Sequence, residues 1–312
     1  MSAPNSTLEE TRNAPGATQA PAGKKPGRKP RRGFSSIGTM SPTEKWIRYV
    51  LLVVVLLICI GPFLWEFSTS LKGPDEDIYT DVPSFFPADP TIDNYIRAFL
   101  AVPIFSFIGN SLFVAAVGVT GNIVFATLAG YALARLRFRG SKIVLGLLLA
   151  SLILPGEATI VSQFLLVSEL GLADTLMGVA LPGMVAPLNV LLMYNAFRVM
   201  PEELDQAGVI DGANAWQRLW HIGIPSVRGT IAVVAIFSFI GAWDDFLWPL
   251  IVLTTPENFT LTIGLQYLAG TFATDQRLIA AGAMIAFIPI AIVFALLQRH
   301  FFKGVEEGGV KG

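Results

Sequence analysis

Apolar residues run along this chain in long stretches separated by short polar segments. Residues 46–67 are predominantly apolar over the roughly 20 positions a helix needs to cross a hydrocarbon core, and they predict span one. Residues 103–134 predict span two, whose Gly109, Gly118, Gly121 and Gly130 are small enough to let helices approach closely in lipid. Span three, residues 143–166, is expected to break at Pro155-Gly156, with Glu157 inside it. Span four, residues 175–197, is interrupted at Pro182-Gly183 and Pro187. Broken helices at membrane depth survive where they are buried in protein or line an aqueous cavity, so both are expected to be walls of a pathway. Residues 229–253 predict span five and residues 278–297 span six. Between these two, residues 261–269 form an apolar piece too short to cross, which reads as an interfacial or re-entrant helix. The fold class is all-α, a polytopic membrane protein of six transmembrane helices.

Charge orients the spans. The basic run at residues 24–32, then Arg135, Arg137, Arg139 and Lys142, mark one side as inside. Residues 71–99 carry Asp75, Glu76, Asp77, Asp81, Asp89 and Asp93 against only Lys72 and Arg97, and residues 168–174 carry Glu169 and Asp174 and no base, so both read as outside. Six crossings then place both termini in the cytoplasm of a cell-membrane protein. Residues 1–45 read as a disordered basic tail, 46–300 as the six-span domain, and 301–312 as a cytoplasmic C-terminal tail. A nucleic-acid patch is the rival reading of the basic run, but Lys and Arg shortly before a first span more often fix topology and touch anionic lipid. No cleaved signal peptide is expected, because the first apolar run starts late and lacks a small-residue cleavage site. Composition agrees: 53% hydrophobic and 14% charged residues exclude an ordinary soluble domain. Net charge, at -1, hides the segregation along the chain.

Residues 201–225 are a polar island that predicts a short helix, a turn and a second short helix. Pro201 suits a first helical position, Glu202, Glu203 and Asp205 set negative charge on the positive end of the helix dipole, and Gly212 supplies a turn. Leu204, Ala207 and Gly208 share a face of small residues that another surface could approach. From the residues alone, an interface helix and a bland amphipathic connector both remain open.

The order of residues goes further. Pro201-Glu202-Glu203-Leu204, then Gln206-Ala207-Gly208, Ile210-Asp211-Gly212-Ala213 and Ile224-Pro225 resemble the cytoplasmic coupling loop of permease subunits in ABC importers. Gly109-Asn110-Ser111, residues 131–140, Trp243-Asp244-Asp245-Phe246-Leu247-Trp248-Pro249 and the terminal Gly309-Val310-Lys311-Gly312 extend the resemblance, which is strongest to the carbohydrate branch and its maltose-type second permease. One departure stands out: the family's Glu-Ala-Ala core is Gln206-Ala207-Gly208 here, and Asp205 is the expected substitute for the missing charge. The resemblance implies half of a sugar pathway, working with a second permease, two ATPase subunits that hold ATP and Mg, an extracytoplasmic sugar-binding protein and membrane lipid, and no nucleic acid. It implies ATPase coupling through Glu203, Leu204, Asp205, Gln206, Ala207, Gly208, Asp211, Gly212 and Ala213 in the loop at 199–226. The tail residues Gly309, Val310, Lys311 and Gly312 are implied to reach the ATPases.

This chain offers no catalytic site and no cofactor of its own. It has no phosphate-binding loop, its two histidines, His221 and His300, lack partners at metal-ligand spacing, and Cys59 lies in an apolar run where an inert thiol is expected. Ionisable residues within spans remain, and these default to function. Asp244 and Asp245, set among Trp243, Phe246 and Trp248, suit a neutral sugar, since carboxylates accept hydroxyl protons while an indole covers an apolar ring face; anchoring a helix is the competing role. Being about 100° apart on a helix, the two acids are not both expected to face the pore. Glu157 and Asn189 are the next candidates on the substrate path. An ion-coupled secondary transporter working through Glu157 and Asp244 or Asp245 is the alternative function, and a non-transport assembly factor the remoter one.

Overall fold

The computed structural model describes residues 42–76, 78, 84–272 and 275–309; nearly all of the predicted basic tail lies outside them. The helices, in order, are α1 (Pro42–Ser70), α2 (Asp93–Ala101), α3 (Ile104–Arg135), α4 (Ser141–Ser151), α5 (Ile160–Glu169), α6 (Leu176–Ala180), α7 (Pro187–Val199), α8 (Glu202–Ile210), α9 (Ala215–Arg218), α10 (Ile224–Ser226), α11 (Arg228–Asp244), α12 (Leu247–Val252), α13 (Leu261–Thr271) and α14 (Gln276–Gly309). The described residues contain no strand. Four spans are long and apolar enough to cross a membrane, or six if two bent pairs each count once. The chain divides into two units after Val55; the described part of the first is the start of α1, exposed at every position.

In the second unit, α3 is the central helix. Its small residues do what lipid requires of them, which is to let backbones meet where no hydrophobic drive exists between helices. A Cβ at Gly130 would stand 2.7 Å from Met193 Cβ and 2.8 Å from the Tyr194 nitrogen in α7, and one at Gly121 would stand 2.5 Å from Met184 Cβ. Buried residues gather around α3 in three groups. One joins Phe107, Phe239, Trp243 and Leu278; another joins Val114, Val167, Trp248 and Ile263; the third, at the α8 end, joins Tyr131, Met193, Phe197 and Val234. Arg135 closes that end by donating to the carbonyls of Phe197 and Met200 at the C-terminus of α7.

Three sequence expectations are corrected. Span five does not run to residue 253: α11 stops at Asp244 and Asp245 is extended, with φ -67° and ψ 126°. The reason is Pro249, which has no N–H to give the Asp245 carbonyl and whose ring would collide with it in a continuous helix. That carbonyl instead accepts from Thr262 Oγ1 at 2.7 Å. The piece read as a helix too short to cross is α13, a separate short helix buried through Leu261, Ile263, Gly264 and Leu268 against α3 and α14. Gly264 makes this possible, since a Cβ there would lie 2.1 Å from the Phe107 ring. Helix α14 continues past residue 297 to Gly309, over much of the predicted polar tail. Pro201 precedes α8 as its cap with extended backbone, so Glu202 is the first helical residue.

The end opposite α8 is held by polar clasps. Both bases of the acidic loop are structural. Lys72 is fully buried, donates to the Ser84 carbonyl at 2.7 Å and lies 5.1 Å from the Trp65 ring, while Arg97 pairs with Asp275 at 2.7 Å. Burial works against the charge on Asp275, but the Arg97 guanidinium, the Leu278 amide and Arg277 together hold the carboxyl below its usual range. Asp174, between α5 and α6, takes a left-handed conformation with φ 57° that Asp tolerates better than most residues. There it accepts from the Thr255 hydroxyl and the Thr254 and Thr255 amides, and these bonds hold its carboxyl well below the carboxylate range.

Candidate functional site

Two chain breaks meet in one place. Span four is interrupted because Pro187 cannot donate to the Gly183 carbonyl four residues earlier. The orphaned acceptor would be costly inside a bilayer. Asn122, on α3, supplies the missing bonds: its Nδ2 donates to the Gly183 carbonyl at 2.6 Å and to the Gly118 carbonyl at 3.1 Å, and its Oδ1 accepts from the Ala186 amide at 2.9 Å. Asn189 then donates from Nδ2 to Asn122 Oδ1 and to Ser238 Oγ, both at 3.0 Å. Asn122, Asn189 and Ser238 are all buried, so α3, α7 and α11 are joined by a polar chain inside an apolar bundle.

Beside this chain lies a cavity of about 330 Å³, walled by the break at Pro182-Gly183, by Gln163 of α5, and by Asp245 and Trp248 at the break after α11. Trp248 is fixed by donating from Nε1 to the Val179 carbonyl at 3.2 Å. The cavity is thus lined where regular helix is lost, as expected of a passage through such a protein.

The second feature is the unit formed by α8, its turn and α9. Helix α8 ends in a Schellman motif: the Gly212 amide donates to the Val209 carbonyl at 3.0 Å and the Ala213 amide to the Gly208 carbonyl at 2.9 Å. Gly212 carries the motif's positive φ, 77°. Asn214 and Gln217 then cap α9 reciprocally, each amide donating to the other's side chain at 2.9 Å. Asp205 faces inward and pairs with Arg218 at 3.0 Å, with the Tyr131 hydroxyl donating to it at 3.4 Å. Arg218 also donates to the Ala213 carbonyl at 3.1 Å, so one guanidinium ties α8, the turn and α9. Outward, the unit shows Leu204, Ile210, Trp216 and Trp220, all more than two-fifths exposed. The two indoles pack edge to face with centroids 5.9 Å apart. Large apolar side chains gathered on a polar segment mark a protein contact.

The family of the binding-protein-dependent transport system inner membrane component matches residues 78–307. The chain belongs to that family. It is a permease, as the motifs in residues 201–225 implied, and a multi-pass membrane protein. Among its relatives, the arabinooligosaccharides transport system permease protein AraQ of Halalkalibacterium halodurans is 32% identical over 274 residues, covering 87% of this chain and 98% of that protein. The sulfoquinovosyl glycerol transport system permease protein SmoH of Agrobacterium fabrum is 30% identical over 282 residues, covering 90% and 97%. A crystal structure of a bacterial ABC transporter that imports the acidic polysaccharide alginate contains a chain of the same fold, with a TM-score of 0.73 at 24% identity, covering 84% of this permease and 99% of that chain.

Within the permease, the predicted site residues separate. Asp245 and Asn189 line the cavity, whereas Asp244 points into a different groove with Glu66, Thr262 and Phe287. The two acids diverge because α11 ends at Asp244 and Asp245 is extended, not through spacing on one helix. Trp243 does not line this cavity: it is 2% exposed, stacks on Phe239 at 5.5 Å and donates from Nε1 to the Ala286 carbonyl at 3.3 Å. Its ring is large enough to fill the seam between α11 and α14, and core packing claims it. Glu157 lies exposed in the turn Gly156–Thr159 and away from the cavity; the α5 residue that reaches the wall is Gln163. In the coupling stretch Glu203, Leu204, Gln206, Ala207, Asp211 and Gly212 are exposed and Ala213 half-buried. Gly208 faces inward, because a Cβ there would lie 2.9 Å from Ile222 Cδ1. The small-residue face is therefore shared between the chain's own second helical piece and the surface, and the charge expected to stand in for the family's glutamate, Asp205, is bonded to Arg218. Gly309 ends α14, and Val310, Lys311 and Gly312 lie outside the described residues.

Asn122, Trp216 and Trp220 went unassigned in the sequence. The first had a signal, as an amide deep in a span of small and apolar residues, and the tryptophans had one in their i, i+4 spacing on a short polar segment.

Proposed function

We propose that this permease forms half of the pathway of an ATP-driven sugar importer. A second homologous permease completes the pathway, two separate ATPase subunits carry ATP and Mg, and an extracytoplasmic binding protein delivers the sugar. The cavity bounded by Asn189, Asp245 and Trp248 is this chain's share of the passage. What favours this reading over ion-coupled transport is the exposed apolar face of α8 and α9, a rigid unit with no use in a transporter that works alone. ATP binding closes the ATPases, moves this unit with them and opens the passage toward the binding protein; hydrolysis resets it. Both termini and residues 1–45 lie in the cytoplasm, the C-terminal tail contacts the ATPases, and no cofactor binds this chain.

Topology and coupling are tested separately. With Cys59 removed, a cysteine at Ser84 is expected to react with an impermeant thiol reagent in intact cells and one at Ser141 to be protected; the reverse pattern inverts the topology. For coupling, Gly212→Val is expected to leave the assembled complex in the membrane while uptake falls and ATP hydrolysis persists. No atom crowds a Cβ there, so the effect comes from backbone strain alone, on the order of 1–3 kcal/mol at a φ that valine disfavours. Normal uptake by Gly212→Val refutes the role given to the turn. Failure of an ATPase to copurify favours the ion-coupled alternative.

A further inference from the structure

The groups left open on the cavity wall are acceptors more than donors, and its one charged group among the described residues, Asp245, is an acid. Both amide protons of Asn122 are used on carbonyls and both of Asn189 on Asn122 and Ser238. Among the described residues, Asn189 Oδ1 has no donor. Gln163 spends one amide proton on Thr159 Oγ1 at 3.2 Å and keeps the other proton and Oε1. The Asp245 carboxylate meets the Leu247 and Trp248 amides, the latter at a long 3.4 Å, and no side-chain donor among the described residues. Ser238 accepts from Asn189 and retains one proton to give. No Lys, Arg or His lines the cavity among the described residues.

A wall of this kind suits a ligand that donates. Sugar hydroxyls and ammonium groups donate, whereas a ring carboxylate or sulfonate would set acceptor against acceptor and bring a like charge toward Asp245, several-fold dearer in a low-dielectric passage than in water. Resting on the sugar-import reading, we propose that this permease passes uncharged or amino sugars and turns away acidic ones, with Asp245 as the discriminating group. In this it differs from the alginate importer that shares its fold and from the relative named for a sulfonated glycoside.

The experiment compares two probes of equal length, arabinotriose and trigalacturonate. Titration calorimetry on the purified complex of both permeases and ATPases, without binding protein, is expected to show arabinotriose binding at least about tenfold tighter than trigalacturonate. Asp245→Asn is expected to narrow that gap by roughly tenfold, the effect of removing one nearby like charge at an intermediate effective dielectric. Equal or tighter binding of trigalacturonate overturns the proposal, as does a gap unmoved by Asp245→Asn. Binding of neither probe overturns it too, because the wall would then recognise nothing. Uptake into proteoliposomes by the complete complex with its binding protein separates the two levels. Uptake of trigalacturonate sinks the selectivity and leaves sugar import standing, while uptake of no carbohydrate at all sinks the import reading itself.

Discussion

Gly130→Val is expected to force α3 and α7 apart and to leave little stable permease in the membrane. The atoms a Cβ would strike at Gly130 are Met193 Cβ at 2.7 Å, the Tyr194 nitrogen at 2.8 Å and the Met193 carbonyl carbon at 2.9 Å. None is the free end of a side chain, so nothing short of moving a helix relieves the contact. Met193 and Phe197 are wholly buried in that seam and Tyr131 almost so. A separation of even 0.5–1 Å forfeits a quarter to a half of each dispersion contact along it. Overpacking of a tight core costs about 1–3 kcal/mol where side chains adjust, and more where backbone must shift. Gly118→Ala is the control on the same helix, because its nearest neighbour would be Ala242 Cβ at an ordinary 3.9 Å. Thermal unfolding of the detergent-purified complex decides it. Gly118→Ala should melt close to the wild type and Gly130→Val many degrees lower, or not be recovered at all. Equal melting of the two would mean that α3 and α7 are not held at this distance.

Asn122→Leu is expected to have the second-largest effect, through the break in span four. Leucine fills the volume but strands the Gly183 carbonyl and the Ala186 amide and removes a partner of Asn189. An unsatisfied buried group costs about 1–3 kcal/mol, although polar bonds between membrane helices average nearer ~0.6 kcal/mol because stranded groups find other partners. Two backbone groups and one side chain place the loss at roughly 2–5 kcal/mol on those figures. Asn189→Leu should cost clearly less, since Asn122 Oδ1 still accepts from Ala186 and no backbone group is orphaned. If the two variants unfold at the same temperature, Asn122 is not what closes the break, and water does it instead.

Locally encoded features were legible in the residues. A run of apolar positions dictates a crossing because its length must match a hydrocarbon core, and spans one, two, four and six are set by that alone. Pro182 and Pro187 announce the interruption of span four because the missing N–H acts four residues back. Gly212 announces its turn because few other residues take positive φ cheaply. By the same rule Pro249 should have ended α11 at Asp244, and the continuous span five overlooked a signal that was present. Residues 301–312 read as tail, yet α14 runs on to Gly309, with no proline to stop it.

Contacts between segments distant in the chain were decided only in three dimensions. Nothing within four residues of Asn122 says that it will meet Gly183 and Ala186, some sixty positions away; α3 and α7 bring them together because glycines on α3 let the backbones close. Trp243 and Asp245 sit two positions apart in one motif, but the seam between α11 and α14 takes the indole and the break at Asp245 turns the carboxylate to the cavity. Asp205 looks as free for a partner as Glu203 until the Schellman turn folds Arg218 back onto it. Sequence by itself determined where the chain crosses, breaks and turns, since those choices depend on each residue's own backbone and immediate neighbours. Which side chains face the passage, the seam or the surface depended on how closely helices pack, and that is a property of the assembled bundle.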